Sequence, residues 1–129
     1  GAAYVFDTNG NFIKTLQPND LSAANSAGQG GAKFGYSVAC SNGRIVVSCK
    51  DVGSVYVFDD DGDQLAKIVS SDHSSGDNYG HGLAVSDTNI IVGAPQNDTA
   101  GSAYIFKNFY NNIPNINFDK LRHDFTGTI

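Results

Sequence analysis

The stretch Gly53-Ser-Val-Tyr-Val-Phe58 decides the fold, because the chain contains it in three similar copies. Gly1-Ala-Ala-Tyr-Val-Phe6 precedes it and Gly101-Ser-Ala-Tyr-Ile-Phe106 follows it, so the copies begin 52 and 48 residues apart. Each copy is rich in aromatic and small or β-branched residues, which favours a β-strand. Self-similarity at a period near 50 residues is typical of β-propellers and related stacked repeats.

A second element recurs between these copies. Phe34-Gly-Tyr-Ser-Val-Ala39 matches Tyr79-Gly-His-Gly-Leu-Ala84, and each is followed by a short turn and an apolar run. One unit therefore holds four strand candidates, at residues 35–40, 44–49, 54–58 and 64–69. Short turns join these strands, and a long connection rich in Ser, Asn, Asp and Gly follows the fourth. This order predicts an all-β fold of repeated four-stranded antiparallel, propeller-type blades that form a partial propeller.

The repeats divide the chain into four parts. Residues 1–33 form a partial blade and linker, with strands expected at 2–6 and 11–16, and residues 34–78 form a full blade and linker. Residues 79–106 form an incomplete blade, and residues 107–129 form an irregular C-terminal tail. The consecutive apolar residues Ile45-Val-Val47 and Ile90-Ile-Val92 indicate strands covered on both faces, as when one blade stacks on another.

Composition excludes several classes of function. All 13 acidic residues are Asp and the net charge is −5, so the basic stripe of a nucleic-acid-binding protein is absent. No apolar run reaches the roughly 18 residues that a membrane helix requires. The turn at Asn42-Gly43 predicts a type I′ hairpin that places Cys40 opposite Ile45. Cys49 would then lie about 13 Å away from Cys40, too far for a disulfide, so both cysteines are predicted to be small buried residues.

The repeated residues resemble a known family. Phe34-Gly35, the apolar run that ends at Gly93-Ala94-Pro95, and Gly53-Ser-Val-Tyr-Val-Phe58 together resemble the FG-GAP repeat of integrin α-subunit propellers. The Asp-rich linkers and hairpins are most similar to repeat proteins of marine bacteria and their tailed phages. Many family members bind calcium between the first two strands of a blade, but Ser41-Asn42-Gly43 is too short for that ligand set. We therefore expect no metal and no cofactor.

Three groups of residues have the types that chemistry requires. Asp59-Asp-Asp-Gly-Asp63 could wrap a calcium ion, but the equivalent Asp7-Thr-Asn-Gly10 is an ordinary turn, so we expect a solvated turn. Asp72-His73-Ser74 contains the residue types of a hydrolase triad. Adjacent residues rarely face one another, so we expect no catalytic residue. His81 is expected to pack or lie at the surface, since Tyr36 occupies its place in the other unit.

Two further expectations concern the surface. Asn97-Asp-Thr99 is a glycosylation sequon, with an ordinary loop asparagine as the favoured alternative. Tyr4, Tyr56 and Tyr104 share one strand position, and Phe6, Phe58 and Phe106 share another. This repetition in register predicts core packing.

The tail is apolar without a regular period. It could supply a missing fourth strand, pack on another subunit, or begin a further domain, and both ends of the repeat array would leave strand edges that invite another chain. We expect the tail to be an assembly segment of a homo-oligomer. The residues expected at its interface are Phe109, Tyr110, Ile113, Ile116, Phe118, Leu121 and Phe125.

Together these features predict a non-enzymatic structural or adhesive module. We expect a virion component, such as part of a phage tail or surface appendage, that contacts protein partners or a host-surface receptor or glycan. The alternative is a bacterial cell-surface adhesin or extracellular filament subunit, and a hydrolase on a propeller scaffold is the third possibility. The expected location is the virion, the extracellular space or the cell surface.

Overall fold

A computed structural model describes residues 1–20, 33–70, 72, 74 and 76–107, together with the backbone of 122–126. All regular structure in these residues is β-strand, as the sequence predicts. No helix that could cross a membrane occurs in this part of the chain. The strands are β1 (Ala3–Phe6), β2 (Phe12–Leu16), β3 (Phe34–Ser41), β4 (Arg44–Cys49), β5 (Ser54–Asp59), β6 (Gln64–Val69), β7 (Gly82–Val85), β8 (Asn89–Ala94), β9 (Ser102–Lys107) and β10 (Arg122–Thr126).

The strands form three antiparallel sheets in chain order. β1 and β2 form the first sheet, β3-β4-β5-β6 the middle sheet, and β7-β8-β9-β10 the last sheet. Neighbouring strands of each sheet are consecutive in the chain, which is the arrangement of a propeller blade. The described residues thus contain two four-stranded blades and a two-stranded one, and they do not close into a ring.

The hairpin between β3 and β4 has the predicted register. Cys40 lies opposite Ile45, and Ser41 lies opposite Arg44. Asn42 and Gly43 both have positive φ, at 48° and 72°, as a type I′ turn requires. Neither cysteine forms a disulfide; Cys49 is buried, but Cys40 is exposed. The predicted burial of Cys40 was therefore wrong, because its side chain borders an open groove instead of joining an apolar cluster.

Strand β5 of the middle sheet is buried on both faces, and its successive side chains point to opposite faces. Val55 and Val57 pack towards the last sheet, whereas Tyr56 and Phe58 pack towards the first. All four are fully buried. Each such side chain contributes about 1.5–3 kcal/mol when it leaves water. Burial on both faces explains why the strand is a continuous run of apolar residues.

Two apolar clusters join the three sheets. The cluster between the middle and last sheets consists of Val46, Val55, Val57, Ile68, Tyr79, Ile90, Val92, Ala94, Tyr104 and Phe106. The cluster between the first and middle sheets consists of Ala3, Leu16, Phe34, Val47, Cys49, Tyr56 and Phe58. In both, the Tyr and Phe of a third strand pack on small or aliphatic residues of the preceding blade. We call each of these contacts a blade junction.

Glycine allows the closest approach at each junction. Gly35 and Gly80 follow the aromatic residues Phe34 and Tyr79, and both have positive φ, at 88° and 83°. A Cβ on Gly80 would lie 2.8 Å from the Cβ of Ser48 in the preceding blade. A Cβ on Gly35 would lie 2.4 Å from the carbonyl oxygen of Ala2. The Phe-Gly and Tyr-Gly elements therefore serve backbone conformation and blade packing together.

The last blade is more complete than the sequence indicated. Residues 79–106 were expected to form an incomplete blade, but Arg122–Thr126 pairs with β9 and supplies a fourth strand. This outcome is one of the three alternatives for the tail. Arg122-His-Asp-Phe-Thr126 has little apolar alternation, so its own residues did not predict a strand. The remaining tail residues lie outside the described part of the chain.

Candidate binding surface

A tyrosine–aspartate hydrogen bond crosses each blade junction. The Tyr56 hydroxyl on β5 donates to Asp20 Oδ1 over 3.0 Å, and Asp20 lies in the connection that leaves β2. The Tyr104 hydroxyl on β9 donates to Asp72 Oδ1 over 3.0 Å, and Asp72 lies in the connection that leaves β6. Each connection is thereby tied to the third strand of the next blade. The first aspartate of each linker has a defined structural role that the sequence reading did not assign.

The electrostatics of the junction favour a neutral tyrosine beside an ionised aspartate. Burial raises the pKa of the Asp20 carboxyl, but hydrogen bonds from Lys67 and Tyr56 outweigh it, so the net pKa is lowered. Burial also raises the pKa of the Tyr56 phenol, and the bond to Asp20 raises it further. The pKa of Tyr104 is likewise raised, mainly by burial. Both phenols therefore remain protonated donors over the physiological pH range.

The first sheet has an uncovered face rich in aromatic residues. Tyr4 and Phe6 occupy the strand positions of the buried Tyr56 and Phe58, yet they are 60% and 56% exposed. The Phe12 ring contacts the Phe6 ring edge-on, with centroids 5.9 Å apart. We call Tyr4, Phe6 and Phe12 the aromatic face. The predicted core packing is thus confirmed for the second and third copies, and it is wrong for the first, whose Tyr4 and Phe6 are exposed.

A groove runs beside the same sheet. Its volume is about 540 Å³, and it lies between β1 and the face of the middle sheet formed by β3 and β4. β1 pairs with β2 alone among the described strands, so its other edge faces this groove. The lining is mainly apolar and includes Ala3, Val5, Leu16, Ile45 and Val47. An apolar groove beside a free strand edge is suited to accept further polypeptide.

Comparison with known families matches the later part of the chain. Residues 63–106, which run from just before β6 to the next-to-last residue of β9, match the family described as the FG-GAP repeat. This segment is similar to one FG-GAP repeat. No curated protein and no solved structure gives a significant match to the sequence. The matched segment spans one blade junction, including Gly80 and the Tyr104–Asp72 bond.

The acidic turn between β5 and β6 is explained by its hydrogen bonding. Carboxylate oxygens of Asp59, Asp60 and Asp61 lie within 4.8 Å of one another. Asp59 Oδ1 accepts from the backbone N–H of Asp63 over 2.8 Å. In the equivalent first turn, Asp7 Oδ1 accepts from the backbone N–H of Asn11 over 2.8 Å. The same turn therefore forms in the first blade without the extra carboxylates.

The residues with the chemical types of a triad take up separate contacts. Asp72 accepts from Tyr104 and from the Ser70 hydroxyl. The Ser74 hydroxyl instead donates to Asp77 Oδ1 over 2.8 Å. His73 lies outside the described residues. Asp72 and Ser74 are thus engaged with different partners in the structure.

Asn97 is held inside a polar network. Its side chain is buried, and its Nδ2 donates to Asp77 Oδ2 over 3.1 Å. Its Oδ1 accepts from the Ser102 hydroxyl over 2.6 Å. A glycan would have to attach to the same Nδ2 atom, and glycosylation of Asn97 stays a prediction. The second aspartate of this linker, Asp77, organises the network.

Tyr36 and His81 occupy equivalent positions, two residues after the aromatic residue of the Phe-Gly and Tyr-Gly elements. Both side chains are exposed. Tyr36 and His81 lie side by side, with ring centroids 5.5 Å apart. The Lys50 ammonium lies 4.9 Å from the Tyr36 ring centroid. These contacts fit the surface role expected for His81.

The tail residues expected at an interface remain a prediction. Phe125 belongs to β10, where the backbone pairs it with Ala103 of β9. The other six lie outside the described residues: Phe109, Tyr110, Ile113, Ile116, Phe118 and Leu121.

Proposed function

We propose that this chain is a non-enzymatic structural and adhesive module of a virion, such as a phage tail or surface-appendage component. Its blades provide a rigid β scaffold, and its exposed apolar surface contacts protein partners. One observation carries the proposal: the aromatic face has the residue types of a blade junction but is left open to solvent. Exposed apolar patches of this kind mark interaction sites in soluble proteins.

The polar residues support a structural rather than catalytic role. Asp20 and Asp72 accept hydrogen bonds from tyrosines of β5 and β9. Asp77 accepts from Ser74 and from Asn97 within the connections. In a catalytic site, by contrast, a base and a nucleophile face each other within hydrogen-bond reach. The candidate residues of this kind are distributed among separate structural contacts.

The test is to locate the chain and then to remove its aromatic face. An antibody against the purified protein should label phage particles in immunogold micrographs, and mass spectrometry should detect the chain in purified virions. Label on bacterial cell surfaces, with none on particles, would support the adhesin alternative and refute the virion role. An enzymatic activity that is abolished by His73→Ala would refute the non-enzymatic role.

A second measurement tests the surface itself. Phe6→Asp should reduce the amount of protein retained on its particle, because it places a charge at a junction-like contact. Val52→Asp is the matched control, since Val52 is a partly exposed hydrophobic residue in the turn before β5. Equal retention of both variants would show that the aromatic face is not the contact.

A further inference from the structure

Two hairpin turns of the chain contain an Asn-Gly pair. Asn9-Gly10 lies between β1 and β2, and Asn42-Gly43 lies between β3 and β4. All four residues are exposed. In such a pair the backbone nitrogen of the glycine can attack the side-chain carbonyl carbon of the asparagine, because ring closure brings them together and glycine has no Cβ to obstruct the approach. The hydrogen bonds of each turn decide how readily that nitrogen reacts.

The first turn holds its glycine nitrogen in a hydrogen bond. The Gly10 N–H donates to the Asp7 carbonyl oxygen over 3.0 Å. The Asp7 side chain fixes the same turn, because its Oδ1 accepts from the backbone N–H groups of Asn9 and Asn11 over 2.9 and 2.8 Å. Attack by the Gly10 nitrogen therefore requires these bonds to open first.

The second turn leaves its glycine nitrogen available. Among the hydrogen bonds of the described residues, none has the Gly43 N–H as its donor. Asn42 and Gly43 are the two central residues of the turn, between the paired residues Ser41 and Arg44. Attack requires the tip of this hairpin to rotate out of its native conformation, and exposed loop tips open with little change in free energy. Asn42 thus lacks the protection that Asn9 has.

We propose that Asn42 is a site of spontaneous deamidation in the folded protein. The Gly43 nitrogen gives its proton to solvent and forms a bond to Asn42 Cγ, the Cγ–Nδ2 bond breaks, and Nδ2 takes up a proton and leaves as ammonia. Water then opens the cyclic succinimide at either of its carbonyl groups, which gives aspartate or isoaspartate at position 42. No oxidation or reduction takes place, and the inference does not depend on the proposed function.

The product adds a negative charge at a turn with acidic neighbours. A Cβ on Gly43 would lie 3.8 Å from Asp60 Oδ2, so this glycine borders the turn between β5 and β6. The adjacent Ser41 hydroxyl donates to Asp87 Oδ1 over 3.2 Å, in the turn between β7 and β8. Isoaspartate also inserts a carbon atom into the backbone, which a two-residue hairpin turn does not accommodate. Deamidation of Asn42 therefore weakens the contact between this hairpin and the last blade.

Peptide mapping by mass spectrometry follows both asparagines in one sample. The purified full chain is incubated at mildly basic pH, and digests are analysed over time for replacement of each side-chain amide by a carboxyl group. Asn42 should react at least about fivefold faster than Asn9, the factor that corresponds to one hydrogen bond of about 1 kcal/mol. In urea, which unfolds the chain, the two rates should approach each other. An Asn42 that stays intact, or that reacts no faster than Asn9 in the folded protein, would overturn the proposal.

Isoaspartate distinguishes the succinimide route from direct hydrolysis of the amide. An isoaspartate-specific methyltransferase with a labelled methyl donor should label the peptide of residue 42 in the aged wild type. Asn42→Gly should remove that label, and the matched control Asn9→Gly should retain it. Glycine suits both turns, and circular dichroism confirms that the variants are folded. Aged protein that carries aspartate but no isoaspartate at position 42 would refute the attack by Gly43.

Discussion

Alanine at Gly80 should destabilise the fold by about 3 kcal/mol. The positive φ of 83° accounts for about 1–2 kcal/mol, because an L-residue is strained in that region. The new Cβ would also lie 2.8 Å from the Ser48 Cβ and 3.6 Å from Val55 Cγ2. Overpacking of this kind costs about 1–3 kcal/mol. The melting temperature of a domain of this size should fall by about 10 °C.

Two other glycines separate the contributions. Gly10 has a φ of 85°, but an added Cβ would have no atom within 4 Å, so Gly10→Ala should cost only the backbone strain, about 1–2 kcal/mol. Gly82 has neither feature, so Gly82→Ala should change stability by less than about 0.5 kcal/mol. Urea unfolding followed by circular dichroism measures all three variants. Equal losses for Gly80→Ala and Gly10→Ala would refute the claim that close approach of the blades matters.

A double-mutant cycle tests the contact directly. Ser48→Gly removes the Cβ that Gly80→Ala would meet, although it also removes the Ser48 hydroxyl that accepts from the Ser37 N–H. The cycle subtracts that single-variant cost. The combined loss should be smaller than the sum of the two single losses by about 1 kcal/mol or more. Simple additivity would show that the Gly80 and Ser48 positions do not interact.

Four further predictions concern the junctions, the thiols and the acidic turn. Tyr56→Phe and Tyr104→Phe should each lower the free energy of unfolding by about 0.5–1.5 kcal/mol by removing the bond to aspartate, whereas exposed Tyr4→Phe should have no effect; equal urea curves for all three would contradict this. The free energy of unfolding should be retained up to about pH 10 and then fall as pH rises, because the phenols of Tyr56 and Tyr104 ionise at lower pH in the unfolded chain than in the folded protein. Thermal melts should show a weaker decline with pH in the variant that carries both Tyr56→Phe and Tyr104→Phe than in the wild type. Iodoacetamide at pH 8 should label Cys40 in the native protein and spare Cys49, whose thiol pKa burial raises to about 11; mass spectrometry showing both thiols labelled at equal rates would refute this. Chelator should leave the melting temperature unchanged, since Asp59 serves its own turn; a fall of many degrees would reveal a bound ion.

Local sequence signals predicted the strands well. The bounds of β4 and β6 agree with the expected residues 44–49 and 64–69, and the hairpin at Asn42-Gly43 has the expected register. Turn chemistry and continuous apolar runs determine these features within a few residues of the chain. The fold class followed from their repetition.

Features that depend on neighbouring blades were harder to predict. Tyr4 is exposed although its copies Tyr56 and Tyr104 are buried. The repeat pattern assigns the same residue type to all three positions and does not encode how far each is covered. β10 forms because β9 offers it a partner, and its own residues give little strand signal. The roles of Asp20 and Asp72 join positions 36 and 32 residues apart. One signal could have found them: an aspartate soon after each fourth strand, paired with a tyrosine in each following third strand.

The two connections between blades, from β2 to β3 and from β6 to β7, are held at both ends, so their lengths can differ. Asp20 and Asp72 fix the start of a connection to the next blade, and Gly35 and Gly80 fix its end against the preceding blade. The distance along the chain between these anchors is about twice as long in the first connection as in the second, yet each junction has its tyrosine–aspartate hydrogen bond. Peptides inserted between Asp20 and Phe34 should consequently leave the blades undisturbed, since lengthening the chain between two fixed points costs little entropy. Such connections are the natural place for new binding specificity to be acquired on an unchanged scaffold.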